Sequence, residues 1–284
     1  MKSHSDQYAI ARMAKVLGVS ESGYYKWLTR PLSKRDEEDL LLIEMIAEVF
    51  YESHEVFGVR KVTAVLRANG IHINHKRVAR LMSMYCMHSK VRRSRRSFTE
   101  AGDETNIQED LLKRDFSVVA PDQKMVSDTT GLRTRQGWLY VAGILDLYGR
   151  IPVGIATGSS NDTGLVVSAF MDMRNRGHGG KGCILHSDRG STYTSNEYQQ
   201  LISQSDMLSS MSRKGDCWDN APMESFWGKM KQEFCDKVYD TLEDARSAVY
   251  EYVWSFYTNL RPHAANGYLT PAEFYEQARR DNIS

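Results

Sequence analysis

The sequence predicts an α/β fold: a mixed sheet flanked by helices on both faces, preceded by all-α modules. Three observations carry this. Up to about residue 87 apolar residues recur at helical spacing. From Lys124 the period changes to that of strands, in KMVSDTTGLRT, GWLYVAGILDLYG and RIPVGIATG, separated by Gly-containing turns. Beyond residue 160, helical and strand-like segments alternate.

Residues 1–33 form a short first module. Ile10, Met13, Ala14, Leu17, Val19, Tyr24 and Trp27 recur at helical spacing, Gly18 supplies a tight turn, and Ser20 caps a second helix. The pattern fits a helix-turn-helix whose second helix presents Glu21, Ser22 and Lys26 outward. An ordinary helical hairpin fits it as well. Residues 34–97 begin with a long amphipathic helix, DEEDLLLIEMIAEVFYES, whose leading acids favour its N-terminal dipole. GVRKVTAVLRANG then ends at Gly70, and NHKRVARLMSMY starts at a capping Asn74. This helical pair carries Arg60, Lys61, Arg67, Lys76, Arg77 and Arg80, and is the better DNA-binding candidate. Arg92, Arg93, Arg95 and Arg96 suit a phosphate backbone or a minor groove, or a solubilising tether. They lead into a linker at 98–118 that lacks periodicity.

Residues 119–260 read as the core. After the three β segments come a helix in TGLVVSAFMDMRNRG, a buried strand in GCILHSD, a helix in SNEYQQLISQS, a short strand in MLSSMS, and helices in APMESFWGKMKQEF and TLEDARSAVYEYVWSFYTN. Three strands in succession, then alternating helix and strand, is the order of a ribonuclease H-like sheet. Residues 261–284 form a C-terminal tail.

Charge and composition narrow the partners. The 284 residues hold 41% hydrophobic and 26% charged side chains, ordinary for a soluble globular protein. No apolar run approaches the roughly 18 residues a membrane helix needs, and MKSHSDQYAIARM lacks a signal peptide's apolar centre, so no membrane partner and a location in the prokaryotic cytosol and nucleoid are expected. Cys86, Cys183, Cys217 and Cys235 show no paired spacing, against a disulfide framework or a Cys-rich zinc site. The net charge of +1 hides an asymmetry: residues 1–99 hold 18 Lys and Arg against 10 Asp and Glu, and the rest hold 19 against 26. Residues 56–99 contain eleven basic side chains and no acid, which points to a polyanion.

Chemistry concentrates in three acids. Asp128 lies mid-strand, where an unpaired carboxylate is costly unless satisfied by metal or partners. Asp188 ends an apolar strand, the edge where ligands usually bind in such sheets. Glu224 lies in the first turn of a helix, and 224 − 188 − 1 = 35 residues separate it from Asp188. Lys231, seven residues on, returns to about the same helix face, where it could hold a DNA backbone. Three carboxylates on three elements are the minimum for two hard cations: Mg²⁺ takes oxygen ligands and leaves positions open for phosphate. Two such ions roughly 3.5–4 Å apart clamp the attacking and leaving oxygens of a phosphoryl displacement. Each acid also has a plainer reading as a sheet-end acceptor, a turn former or a dipole partner, and Asp146 in LDLYGR rivals Asp128.

HSDRGSTYTS, MSRKGDCWDNAPMESFWGKMKQE and YTNLRPHAANGYLTPAEF resemble blocks of the insertion-sequence-three family of transposases, and more distantly retroviral integrases. GVRKV through HKRVARLM resembles that family's upstream DNA-binding module. The resemblance implies an Asp-Asp-Glu polynucleotidyl transferase, with Asp128, Asp188 and Glu224 as metal ligands and Lys231 as the basic position after the Glu. It implies two Mg²⁺ ions, with Mn²⁺ as a substitute, acting on double-stranded DNA at transposon ends and target through a circular intermediate. It also implies a homo-oligomer on DNA and a frameshift fusion with an upstream-frame product. Trp218, Asp219 and Asn220 match the family's WDN, expected to shape the loop beside the site. DTTGLRT lacks the residue often found after the first Asp, and Asn266 stands where Leu is usual, a change expected to touch packing only. A regulator of transposition with a vestigial site, and a structure-selective nuclease, are the competing readings.

Overall fold

The computed structural model describes residues 1–91, 106–213, 217–235 and 237–281. Arg92, Arg93, Arg95 and Arg96 lie outside the described residues, as does the side chain of Trp218.

The helical segments start and stop where their capping chemistry places them. α1 (Ile10–Leu17) ends at Gly18 in the left-handed region (φ 67°), and α2 (Glu21–Leu28) starts with Ser20 Oγ accepting from the Gly23 amide. Only Ala14 and Tyr24 of this hairpin are buried, and Trp27 is 61% exposed, so the apolar spacing here does not build a core. α3 (Lys34–Glu52) opens with a reciprocal capping box between Ser33 and Asp36. α4 (Val59–Ala68) and α5 (His75–Met84) follow, with Asn74 Oδ1 accepting from the Lys76 amide. Ile46, Phe50, Val62, Leu66, Val78 and Leu81 fill the space between these three helices.

Five strands form one sheet in the order β3-β2-β1-β4-β5. β1 (Lys124–Thr134), β2 (Gly137–Asp146) and β3 (Ile151–Gly158) make the expected antiparallel meander. β4 (Ile184–Ser187) and β5 (Leu208–Met211) join parallel to β1, through crossovers containing α6 (Thr163–Asn175) and α7 (Asn196–Gln204). The period of two sorts the strand residues between two cores. Met125, Ala142, Ile144 and Val153 face α6 and α7. Val126, Val141, Leu145 and Ile155 face α8 (Ala221–Glu233), α9 (Leu242–Tyr250) and the cluster contributed by α3–α5. At Gly154 an added Cβ would sit 2.4 Å from the Ala169 carbonyl oxygen, so the close seating of α6 on β3 needs a residue without one.

Three segments differ from the expected outline. The helix expected over 241–259 changes at Glu251 to a π-helix, Glu251–Leu260, in which the Thr258 hydroxyl and the Asn259 amide reach back five residues to carbonyls. The described end of the expected linker is part of the core: Leu112 is buried, Leu111 N donates to Ser210 Oγ and Met211 N donates to Glu109 O. This covers the free edge of β5, which would otherwise expose unpaired amides. The tail is also docked, since α10 (Pro271–Asp281) buries Tyr275 against Asp122 and Asp146.

Candidate active site

The first two acids are brought level by the strand register. β1 pairs with β4 in parallel through Met125 with Leu185 and Val126 with His186. Continued by two residues, that register carries Asp188 alongside Asp128. Asp188 emerges just past β4, exposed, and its Oδ1 accepts from the Gly190 amide at 2.9 Å. His186, one residue inside the strand end, is buried between Ser210 Oγ (2.8 Å) and Ser212 Oγ (3.1 Å), so it fastens β4 to β5 instead of facing the site.

The third acid is carried by α8. Pro222 stands near its N-terminus and Glu224 in its first turn, exposed. Asn220 occupies the N-cap but does not cap: its Nδ2 donates to the Ser127 carbonyl at 3.0 Å, tying the start of α8 to β1 beside Asp128. Asp219, buried, accepts from Arg114 Nε (2.8 Å) and from the backbone and side chain of Arg213, and these cations hold its carboxyl well below the usual range despite burial. One turn after Glu224, Trp227 lies over Gly143, the residue paired with Asp128 across β2. An added Cβ at Gly143 would meet the indole at 2.7 Å.

The three acids are coupled electrostatically at Asp128. Burial, first, and then the negative charges of Asp188 and Glu224 push the Asp128 carboxyl up to about 8. Asp188, although it reaches the surface, is raised by desolvation of its carboxyl among the surrounding residues. Tyr193, buried, accepts from Ser127 Oγ at 3.1 Å, and its hydroxyl is raised by burial and by both Asp128 and Asp188. Lys231 is lowered by burial and drawn back up by Asp128, so its ammonium is a neighbour of the first acid. Two buried polar atoms beside this group are unsatisfied, Asn220 Oδ1 and Trp227 Nε1. The Trp227 N–H still lies close enough to Asp128 to lower it, without closing a well-formed hydrogen bond. Among the described residues, no three carboxylate, imidazole or thiolate groups stand close enough to share one ion. The donor set is nonetheless one a hard dication would fit: carboxylate oxygens on separate elements, with the first raised by burial and by the charges of the other two.

The rival Asp146 has another task. Fully buried, its carboxylate accepts from the Asp122 and Tyr148 amides (2.8 Å each) and the Tyr275 hydroxyl (3.2 Å), and burial raises it to about 7.

The basic residues of the helical module divide. Arg77 and Arg80 are both ion-paired to Asp39, with Arg77 Nε at 2.7 Å, so much of their charge is neutralised inside the module. Lys61 is turned inward, 3.4 Å from Glu233 on α8. Arg60, Lys76 and Lys26 are exposed.

Comparison with known proteins agrees with this architecture. The Integrase core domain family matches residues 119–217, a second Integrase core domain model matches 205–271, and an HTH-like domain matches 35–95. The chain is 38% identical to an uncharacterized 31 kDa protein of insertion element IS600 from Shigella sonnei, over 93% of this chain and 98% of that one. The chain belongs to the insertion-sequence-three (IS3) family of transposases. The transposase is also 33% identical to that of element IS904 from Lactococcus lactis, over 85% of this chain and 96% of the other. With InsF of IS3A from Escherichia coli it shares 31% identity over 96% of both chains. Among solved structures, the HTLV-2 integrase catalytic core domain with magnesium is similar at TM-score 0.44 and 14% identity, covering 56% of the transposase and 99% of that chain. The sheet order and the integrase core match give the transposase a ribonuclease H-like fold. No helix among the described residues is long and apolar enough to cross a membrane.

Sequence reading had not singled out Tyr193, Gly143, Trp227 or the amide role of Asn220. Tyr193 and Asn220 lay inside blocks already marked as family-like. Gly143 carried no signal, because a strand glycine reveals its neighbour only once the sheet is folded.

Proposed function

We propose that the transposase cuts and joins DNA strands at the ends of its insertion sequence, using Asp128, Asp188 and Glu224 as ligands for two Mg²⁺ ions. The observation that carries this is geometric: the β1–β4 register sets Asp188 alongside Asp128, and the Asn220–Ser127 hydrogen bond ties the start of α8, which carries Glu224, to the same stretch of β1. Burial and the charges of the other two acids raise the Asp128 carboxyl, the kind of perturbation that clusters at functional sites. Bound Mg²⁺ would supply activation of the attacking oxygen and stabilisation of the leaving one.

The protein's own residues do the rest. Asp188 and Glu224, exposed, leave the site open to a duplex. The Asn220 amide fixes the start of α8 against β1, which sets the spacing between Glu224 and Asp128. Lys231 offers a cation to the DNA backbone beside Asp128. Double-stranded DNA at the element's ends and at the target is the substrate, gripped by Arg60, Lys76 and the basic run Arg92, Arg93, Arg95 and Arg96, with Lys26 of the first hairpin contributing. Pairing two ends calls for a homo-oligomer on DNA, and an upstream-frame product or fusion would supply end recognition.

The test is a strand-transfer assay on duplexes carrying the element's termini. Asp188→Asn and Glu224→Gln should each lose cleavage and joining while binding DNA as the parent does. Mg²⁺-dependent joining retained by either variant overturns the proposal, and cleavage without joining by the parent would assign a nuclease instead.

A further inference from the structure

At the sheet edge that carries Asp188, on the side away from β1, opens a groove that the three acids do not use. Its volume is about 720 Å³, and residues 107–110 line it together with Lys113, Arg189 and Arg213. Covalent and backbone links set its nearness to the acids. Arg189 is the residue after Asp188, and its Nε donates to the Ser212 carbonyl at 2.6 Å. β5 runs parallel to β4 with Met211 beside Ser187, and the Ser212 amide donates to the Ser187 carbonyl at 2.9 Å, so Arg213 leaves β5 beside the Asp188 turn. The outer wall is the segment that covers the β5 edge through Glu109 and Leu111. Neighbouring strands lie about 4.8 Å apart, so this wall stands about two strand spacings, roughly 10 Å, from Asp188.

Neither a bare anion nor an apolar ligand accounts for the lining. Asp110 and Arg213 are already engaged: Asp110 Oδ1 accepts from the Leu112 and Lys113 amides (3.0 and 2.9 Å), and Arg213 Nη2 donates to Asp219 at 3.1 Å. Three charged groups keep capacity for a ligand. Arg189 uses only its Nε among the described residues, and Lys113 and Glu109, both exposed, have no ion-pair partner among them. Lys113 and Arg114 both hold φ in the left-handed region (49° and 62°), which side chains adopt only where their surroundings fix it. That turn sets Lys113 on the groove while Arg114 reaches back to Asp219. Ile107, 38% exposed, adds aliphatic surface, and the Gln108 amide both donates and accepts. Cations, a base-reading carboxylate and amide, and an apolar patch are the complements of the three parts of one nucleotide.

We propose that this groove receives one nucleotide of the DNA strand that runs to the acids, with its phosphate on Arg189 and Lys113 and its base edge on Glu109 and Gln108. A guanidinium and an ammonium suit the phosphate. A carboxylate accepts from the exocyclic amino group of a base, as from cytosine N4, and finds no such donor on thymine, so the groove selects an amino-bearing base. Clefts of about 300–1,000 Å³ hold ligands of this size. To enter, the base leaves its stack. At about 3.4 Å per nucleotide along a stacked strand, roughly 10 Å places it within about three nucleotides of the phosphate at the acids. This inference rests on the strand-transferase reading, and it gives the acid site a means of choosing the ends it cuts.

The experiment measures binding of the full chain to duplexes carrying the element's end, in which each of the three nucleotides on either side of the cut is replaced in turn by every other base and by an abasic residue. One position should stand out, where an abasic residue or thymine weakens binding about tenfold relative to an amino-bearing base. Glu109→Gln should lose that discrimination. Lys113→Gln should weaken all the duplexes alike and shrink the slope of log affinity against log salt by about 1. Both variants should melt as the parent does. Equal binding of every duplex by the parent would overturn the proposal, and so would discrimination unchanged in Glu109→Gln or a salt slope unchanged in Lys113→Gln. Discrimination lost together with a lowered melting temperature would also overturn it, as the mark of a structural role. Asp188→Asn separates the two readings, because binding needs no cutting. Strands joined by that variant would sink the metal site, whereas discrimination against thymine kept in it leaves the groove standing.

Discussion

Gly143→Ala should disable the site from the neighbouring strand, on the face that carries Asp128. The added Cβ would meet Trp227 Cη2 at 2.7 Å, Cζ2 at 2.9 Å and Ile155 Cδ1 at 3.2 Å. Carbon atoms sit comfortably about 3.5–4.0 Å apart, so the indole must retreat by about 1 Å. It cannot do so alone, because Phe226 packs on it at 4.9 Å between centroids and α8 is tied at its start through Asn220. Overpacking of this kind costs about 1–3 kcal/mol. A midpoint cost of about 2 kcal/mol corresponds to a fall of about 4–8 °C in Tm for a domain of this size. The retreat also moves Glu224, one turn earlier on the same helix, away from Asp128, and a misplacement of about 1 Å costs on the order of 100-fold in rate. Thermal denaturation and a Mg²⁺-dependent joining assay read the two effects separately. Adding Trp227→Phe, which removes the two clashing atoms, should recover most of the lost Tm. Parental Tm and joining rate in Gly143→Ala would refute the reasoning.

Glu233→Gln should be the most destabilising substitution on α8: with the carboxylate gone, Arg261 is left as a buried, unpaired cation beside the half-buried Lys61, at a cost of about 3–5 kcal/mol in urea denaturation. A variant as stable as the parent would contradict the pairing. Asn220→Ala leaves the Ser127 carbonyl without its donor, costing about 1–3 kcal/mol, and should reduce joining far more than DNA binding. Equal loss of both would show that the amide does not position α8. Asp146 predicts a pH dependence: its carboxyl titrates at about 7 when folded and at about 3.9 when unfolded. Between those values the folded state holds a proton that the unfolded state has released, so stability falls as pH rises from about 4 to about 7. The full span is worth at most about 4 kcal/mol. Denaturation of parent and Asp146→Asn at pH 5 and 7.5 should show a shallower decline in the variant, and parallel declines would contradict the assignment.

Much of this architecture was legible because its signals are local. The strands announce themselves by alternation, and the same parity sends Asp128 to the α8 side with Val126. Ser20, Ser33, Asn74 and Gly18 mark helix ends through side-chain and backbone chemistry confined to one turn. What stayed hidden depends on residues far apart. Lys61 read as a surface cation until Glu233, 172 positions away, was found beside it. Arg77 and Arg80 looked free because Asp39 sits on a different helix. The π-helix was invisible because an apolar face does not reveal whether its carbonyls bond four or five residues ahead. The acids of the site were readable as residue types at a spacing, whereas their shared field depends on register and on the Asn220 tie.

The most direct measurement is a structure of the transposase bound to end DNA with Mn²⁺, located by its anomalous scattering. Two peaks about 3.5–4 Å apart, ligated by Asp128, Asp188 and Glu224, are the expected result. Manganese bound elsewhere, or these three carboxylates left without metal while DNA occupies the groove, would contradict the account.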